Sequence, residues 1–220
     1  MGGPLVTDAV RQLDAFHLVT PDIVAETGHR HPTFALMAKI VVFGASGQAG
    51  REIAAAAEAR GHEVTRIGRN PGVQAAPQVA AGHDVAVSAV VDLSRDPAEF
   101  YTEAANALVA SGVGRIIVVG IYPLLETAPG VRLVDSPDFP PEHRPFCLGH
   151  AAGVEVLAKS TANWLVMSPA GMFGGKPTGK YQFAPVNASD ELTYADFALA
   201  VADEIDHPTH HRTQVGVASL

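Results

Sequence analysis

The stretch KIVVFGASGQAG, residues 39–50, constrains the fold more than any other part of the chain. Residues 39–43 form a short run that is apolar after its lysine, as expected of a strand buried on both faces. Glycines follow at 44, 47 and 50. Residues 47–60 then carry a helical pattern, with Ile53, Ala54 and Ala57 on one side. Glycine at 44 permits a tight turn off the strand. At 47 it leaves the backbone bare for a close-lying ligand, and at 50 it lets the helix lie against the strand. The turn offers the unpaired N–H groups and positive end of a helix to an anion. Gly61 follows the helix as a C-terminal cap, and HEVTRI (62–67) reads as a second strand. The unit from Lys39 to Ile67 has the length of a ~30-residue βαβ nucleotide-binding half.

The alternation continues. Strands are expected over 84–91, 115–120, 163–168 and 213–218, with a smaller one over 178–183. Helices are expected over 97–111, 149–160 and onward from Thr193, where Thr-Tyr-Ala-Asp matches a capping box closed by Asp196. Buried strands alternating with amphipathic helices predict a doubly wound α/β fold, Rossmann-like, with a mostly parallel sheet and helices on both faces. Residues 1–36 have no such pattern and are expected to form an N-terminal extension, with the nucleotide-binding, Rossmann-like domain over 37–220.

The chain has 220 residues and one cysteine, Cys147, so no internal disulfide can form. A formal charge of −8 without a Lys/Arg cluster argues against nucleic acid or an anionic membrane as partner. No segment reaches the ~18 consecutive apolar residues of a membrane span. The expectation is a cytoplasmic protein, monomer or homodimer, acting on a small molecule.

The end of the second strand discriminates between nucleotides. An acid there bonds the ribose 2′-hydroxyl of NAD, whereas an arginine accommodates the 2′-phosphate of NADP. Here Arg66, Gly68, Arg69 and Asn70 stand at that end without an acid. Arg69, with Arg66 or Arg51 assisting, favours NADP(H) over NAD(H).

These residues carry a family resemblance. GASGQAG, RIGRNP (66–71) and GHDVAVSAV (82–90) resemble the atypical short-chain dehydrogenases/reductases. APGVRLVDSPDFP (128–140), NWLVMSPAGMF (163–173), PTGKYQF (177–183) and LTYADFALAVADEI (192–205) are similar to their small NAD(P)H-binding group, which includes NADH-flavin-reductase-like and nitrogen-metabolite-repressor-like proteins. The resemblance spans residues 37–218. It implies that Gly44, Ala45, Ser46, Gly47, Gln48 and Ala49 hold the pyrophosphate and that Arg69 meets the 2′-phosphate. It places Ser88, Ala89 and Val90 on the adenosine side, and Val119 and Gly120 under the nicotinamide ribose. Ser168, Pro169, Ala170 and Gly171 would flank the nicotinamide.

Three departures stand out. The connection from Asn70 to Asp84 is short, which predicts that one edge strand and its adenine-contacting turn are absent. Ile121, Tyr122 and Pro123 replace the small residues usual after the fourth strand. The Tyr-x-x-x-Lys pair of standard members is missing, since the matching helix offers His150 with no lysine four residues on. Alcohol oxidation needs a base on the hydroxyl, whereas a flavin or quinone is already an electron sink. The resemblance therefore points to an NAD(P)H-dependent reductase with a flavin- or quinone-like acceptor. A non-catalytic NAD(P)-binding redox sensor is the alternative. A nucleotide-sugar isomerase or dehydratase fits poorly without the Tyr/Lys pair.

Tyr122 and His150 are the candidate catalytic residues, each weighed against loop packing or a place on the helix surface. Tyr122, Met172 and Phe173 are candidate acceptor contacts, and the proline-rich segment 121–148 would cover the acceptor. Cys147 reads as a structural thiol. No metal is expected, although GHRHP (28–32) and HPTHH (207–211) are histidine-rich.

Overall fold

The computed structural model describes residues 37–220, and the extension expected over residues 1–36 lies outside them. Strands β1 (Lys39–Phe43), β2 (Glu63–Ile67), β3 (Val85–Ser88), β4 (Arg115–Val119), β7 (Trp164–Pro169), β11 (Thr213–Ala218) and β9 (Gln182–Phe183) form one sheet. Their order is β2-β1-β3-β4-β7-β11-β9. All pairings are parallel except that of β11 with β9. The strand expected over 178–183 shrinks to this two-residue antiparallel edge. Two shorter pairs lie apart: β5 (Glu126–Ala128) with β6 (Val131–Arg132), and β8 (Met172–Phe173) with β10 (Glu191–Leu192).

Alternate side chains of each strand point to opposite faces, and the two faces are covered by different helices. Ile40, Val42, Val87, Leu165 and Met167 pack with α1 (Gln48–Ala59) and α5 (Tyr194–Asp206) through Ile53, Phe197 and Val201. Val41, Phe43, Ala86, Ile116 and Val166 pack with α3 (Pro97–Ala110) and α4 (Arg144–Lys159) through Ala104, Leu108 and Leu157. Full burial of each large aliphatic side chain contributes roughly 1.5–3 kcal/mol.

β2 is the sheet edge, so the strand expected to be missing is absent. The short connection is nonetheless ordered. A 3₁₀ turn, Val73–Ala75, runs into the one-turn helix α2 (Ala76–Val79), and Val73, Ala76 and Ala80 are buried in the α3/α4-side core. The edge itself carries the exposed charges Glu63 and Arg66, which oppose strand addition.

Two elements differ from expectation. β3 stops at Ser88, so Ala89, Val90 and Val91 form a loop at its C-terminal end. Helix α4 begins at Arg144, five residues before the sequence pattern suggests, with a proline in its first turn. Segment 121–143 folds down onto α4, where Leu124, Val134, Cys147 and Ala151 form a small core of their own.

At the opposite end of the sheet, buried Arg115 donates to buried Glu204 at 2.8 Å. Glu204 also accepts from Thr209, and His210 Nδ1 lies 2.6 Å from it. Desolvation pushes the Glu204 carboxyl up, but the hydrogen bonds from Thr209 and His210 outweigh it and hold the group below its ordinary value. This cluster ties the 207–212 histidine segment to the start of β4, with His211 bonded to Asn163. The GHRHP run lies outside the described residues.

Candidate functional site

The glycine turn is built as its spacing implies. Gly44 has φ +79°, in the region that favours glycine, and a Cβ there would fall 2.7 Å from the Ala89 carbonyl carbon. A Cβ on Gly50 would fall 2.7 Å from the Gly44 carbonyl carbon, so that glycine lets α1 rest against the turn. The amides of Gly44 and Ala45 donate to the Ile67 carbonyl at 2.9 and 3.1 Å. The turn is thus wedged between the ends of β2 and β3.

Gly47 differs from its two companions. It is the N-cap of α1, with φ −79° and ψ 170°, and caps with no side chain. The nearest atom to a Cβ there is the Gly44 oxygen at 3.3 Å, and the residue is exposed. Packing alone does not require glycine at 47. Ser46 and Gln48 are exposed beside it, Ala49 is half-buried and Ala45 is buried. The first amides of α1 have no partner within the helix, and no acidic side chain occupies its first turn. These features suit an anionic group lying against the turn.

A cavity of about 170 Å³ opens at this place. Gly44, Ser46 and Gly47 of the glycine turn, Arg69, Ala89 and Val90 line it. Gly72, Val73, Gln74, Asp92 and Phe100 line it as well and were missed. The short 70–83 connection therefore replaces the wall that the absent strand and turn would provide. Ligand pockets run to roughly 300–1,000 Å³, so this cavity suits one end of an extended ligand. Of the basic residues near β2, Arg66 is committed elsewhere: it holds Glu58 through two 2.9 Å bonds. The expectation that it assists Arg69 is corrected on that ground.

A second, smaller cavity of about 30 Å³ lies under the ends of β3 and β4. Ser88, Val90, Val119 and Gly120 line it together with Tyr101 and His150. His150 is not on the helix surface. It is buried between α3 and α4, its ring 3.7 Å from that of Tyr101 and 4.9 Å from that of Phe146. Burial holds its pKa down at about 3, against an ordinary 6.5. At neutral pH it has no imidazolium proton to give, which corrects its candidacy as an acid. The phenol of Tyr101 is also buried, without a hydrogen-bond partner, and burial raises its pKa. This tyrosine, on a different helix from the expected pair, escaped the sequence analysis.

The remaining candidates lie outside both cavities. Ser168, Pro169, Ala170 and Gly171 are buried at the end of β7, where the Ala170 amide donates to the Val217 carbonyl. Phe173 stacks on Tyr194 at 4.1 Å and meets Phe197 edge-on, so it is packing against α5, while Met172 is exposed. Tyr122 is half-buried on a 3₁₀ turn, and burial, with Cys147 alongside, raises its pKa. Burial likewise pushes the Cys147 thiol up, as suits a structural cysteine. Thr193 caps α5, its Oγ1 accepting from the amide of Asp196. The Asp196 carboxylate, however, reaches across to the amides of Thr178 and Gly179. Desolvation raises that carboxyl, and these hydrogen bonds bring it back below its ordinary value. No helix among the described residues is long and apolar enough to cross a membrane.

No protein-family model matches the chain. It is 34% identical over 209 residues to YwnB of Bacillus subtilis, an uncharacterised protein, covering 82% of this chain and 98% of that one. A match of that length over that share of this chain means that YwnB carries extra residues inside the matched span. Among solved structures it is similar to SP1627 of Streptococcus pneumoniae, a candidate NADH-flavin reductase, with a TM-score of 0.75 and 25% identity over 83% of this chain and 100% of that one. A candidate exported protein of Burkholderia pseudomallei gives a TM-score of 0.71 and 31% identity over 83% and 100%. With the glycine turn, the sheet order and these likenesses together, the chain belongs to the atypical, NAD(P)-binding short-chain dehydrogenases/reductases, in the YwnB-like group.

Proposed function

We propose that the chain is an NAD(P)H-dependent reductase that passes a hydride to a flavin- or quinone-like acceptor, with NADPH the favoured nucleotide. One observation carries the reading: the bare Gly47 at the head of α1 faces the same cavity as Arg69. An anion-binding helix start and a guanidinium converge there, as a diphosphate and a 2′-phosphate require. Ser46, Gln48 and Ala49 complete the phosphate side, and Ala89 and Val90 the adenosine side. Val119 and Gly120 would carry the nicotinamide half toward the ends of β4 and β7, where Ser168–Gly171 are buried.

When bound, the nicotinamide supplies the hydride, and the chain positions it and keeps water away. Neither Tyr101 nor His150 offers a titrating proton near neutrality. This fits an acceptor that takes its proton from solvent, and it disfavours alcohol oxidation, which needs a base on the substrate. The same absence suits the non-catalytic reading, a redox sensor that holds the nucleotide without turnover.

The test is oxidation of NADPH by the purified full chain with FMN, FAD and a soluble quinone in turn. Turnover with at least one acceptor, lost in Arg69→Gln at low NADPH and recovered at high NADPH, supports the reductase. Nucleotide binding without turnover on any of them selects the sensor.

A further inference from the structure

Asp92 lines the same cavity as Arg69 and the glycine turn. It follows β3 in the loop Ala89–Asp92, whose first residues face the adenosine side. One carboxylate oxygen is fixed by Ser94, whose amide and hydroxyl donate to it at 3.0 and 2.6 Å. That turn holds the group in place and leaves its second oxygen without a hydrogen bond among the described residues. Of the two nearby arginines, Arg95 is held by Glu103 at 2.9 Å and Glu99 at 3.6 Å. Arg69 is the guanidinium that shares the cavity with the carboxylate. The hydrogen bonds from Ser94, and after them the charges of Arg69 and Arg95, hold Asp92 below its ordinary pKa.

We infer that Asp92 sets the nucleotide preference of the proposed site, by opposing the 2′-phosphate that Arg69, lining the same cavity, attracts. The inference rests on the NAD(P)H reading above and sharpens it. A 2′-phosphate brings close to two negative charges beside a fixed carboxylate. The 2′-hydroxyl of NADH brings none. The cavity therefore discriminates only narrowly in favour of NADPH, and both nucleotides are used.

The experiment is calorimetric titration of the full chain with NADPH, NADH and 2′,5′-ADP at low and high salt, for the native protein, Asp92→Asn and Asp92→Ser. The asparagine keeps a full-length acceptor for Ser94 and the shorter serine only a weaker one, so loss of the local turn is separated from loss of charge. Exposed charge pairs couple weakly. Both variants should thus tighten NADPH and 2′,5′-ADP roughly two- to fivefold, leave NADH unchanged, and lose the difference at high salt. An unchanged NADPH-to-NADH ratio in both variants, or weaker NADPH binding, overturns the role of Asp92 while leaving the site intact. If the native protein binds neither nucleotide, the site itself is wrong and the inference falls with it.

Discussion

Alanine at Gly47 and at Gly44 should have opposite consequences, because one glycine faces a ligand site and the other faces the fold. At 47 the backbone is in an ordinary extended region and the closest neighbour of a new Cβ is 3.3 Å away. The expected cost to stability is that of a poorer N-cap, about 0.5–1 kcal/mol. For a domain of this size that lowers Tm by roughly 1–4 °C. The new methyl would stand where the diphosphate approaches. Loss of one or two charge-assisted hydrogen bonds, at about 1.5–3 kcal/mol each, weakens nucleotide binding by at least about tenfold. At 44 the φ of +79° costs about 1–2 kcal/mol for a side chain. The Ala89 carbonyl must also move, because its carbon lies 2.7 Å from the new Cβ. Overpacking of that kind adds about 1–3 kcal/mol. Thermal unfolding and NADPH titration of both variants give the comparison. A Gly47→Ala protein that binds NADPH like the native one refutes the assignment of this turn.

Other consequences are open to measurement. Folded His150 stays neutral down to about pH 3, while its unfolded form takes a proton below its ordinary 6.5, so stability falls as pH drops through that window at up to about 1.4 kcal/mol per unit. In urea titrations at pH 7 and 5, His150→Phe should lose distinctly less stability than the native chain; equal losses would mean that the ring is not held neutral. Tyr101→Phe removes a buried hydroxyl without a partner, so stability should be unchanged or rise by up to about 1 kcal/mol, and a loss above that would show that the hydroxyl is bonded. Asp196→Ala strands the amides of Thr178 and Gly179 and the Thr193 hydroxyl. It should cost about 2–4 kcal/mol and speed amide exchange in 174–183 before the rest of the domain.

The fold was legible where local signals agreed with one another. The apolar run 39–43, the three glycines and the Thr193 cap each fix an element by short-range chemistry, and β1, α1 and α5 stand where those residues imply. The missing edge strand was legible as a shortfall of residues before Asp84. What took its place was not, because Val73 and Ala76 read as an Ala/Gly/Pro connection until the core they fill is known.

The Tyr101–His150 stack is a tertiary fact. Phe100, Ala104 and Leu108 make that face of α3 read as core, and nothing in the pattern marks Tyr101 as facing α4. A signal did exist. Gly149 and Gly153 lie four apart, on one face of a helix, and a Cβ at either would strike the backbone of Pro97 or Tyr101. That spacing marks α4 as lying close against a neighbour, with His150 between. Asp92 was overlooked because the strand was extended to residue 91, whereas the loop begins after Ser88. Ser168–Gly171 and Phe173 were carried over by resemblance and lie outside both cavities, with Phe173 stacked on Tyr194.

The central claim is that the head of α1 and Arg69 together hold a phosphorylated nicotinamide nucleotide. Titration of the native full chain with NADPH, followed by displacement with 2′,5′-ADP, tests it before any acceptor is chosen. The account predicts one NADPH per chain, displaced by 2′,5′-ADP and weakened at least about tenfold in Arg69→Gln. Absence of heat with both NADPH and NADH, or binding indifferent to 2′,5′-ADP and to Arg69, would contradict it.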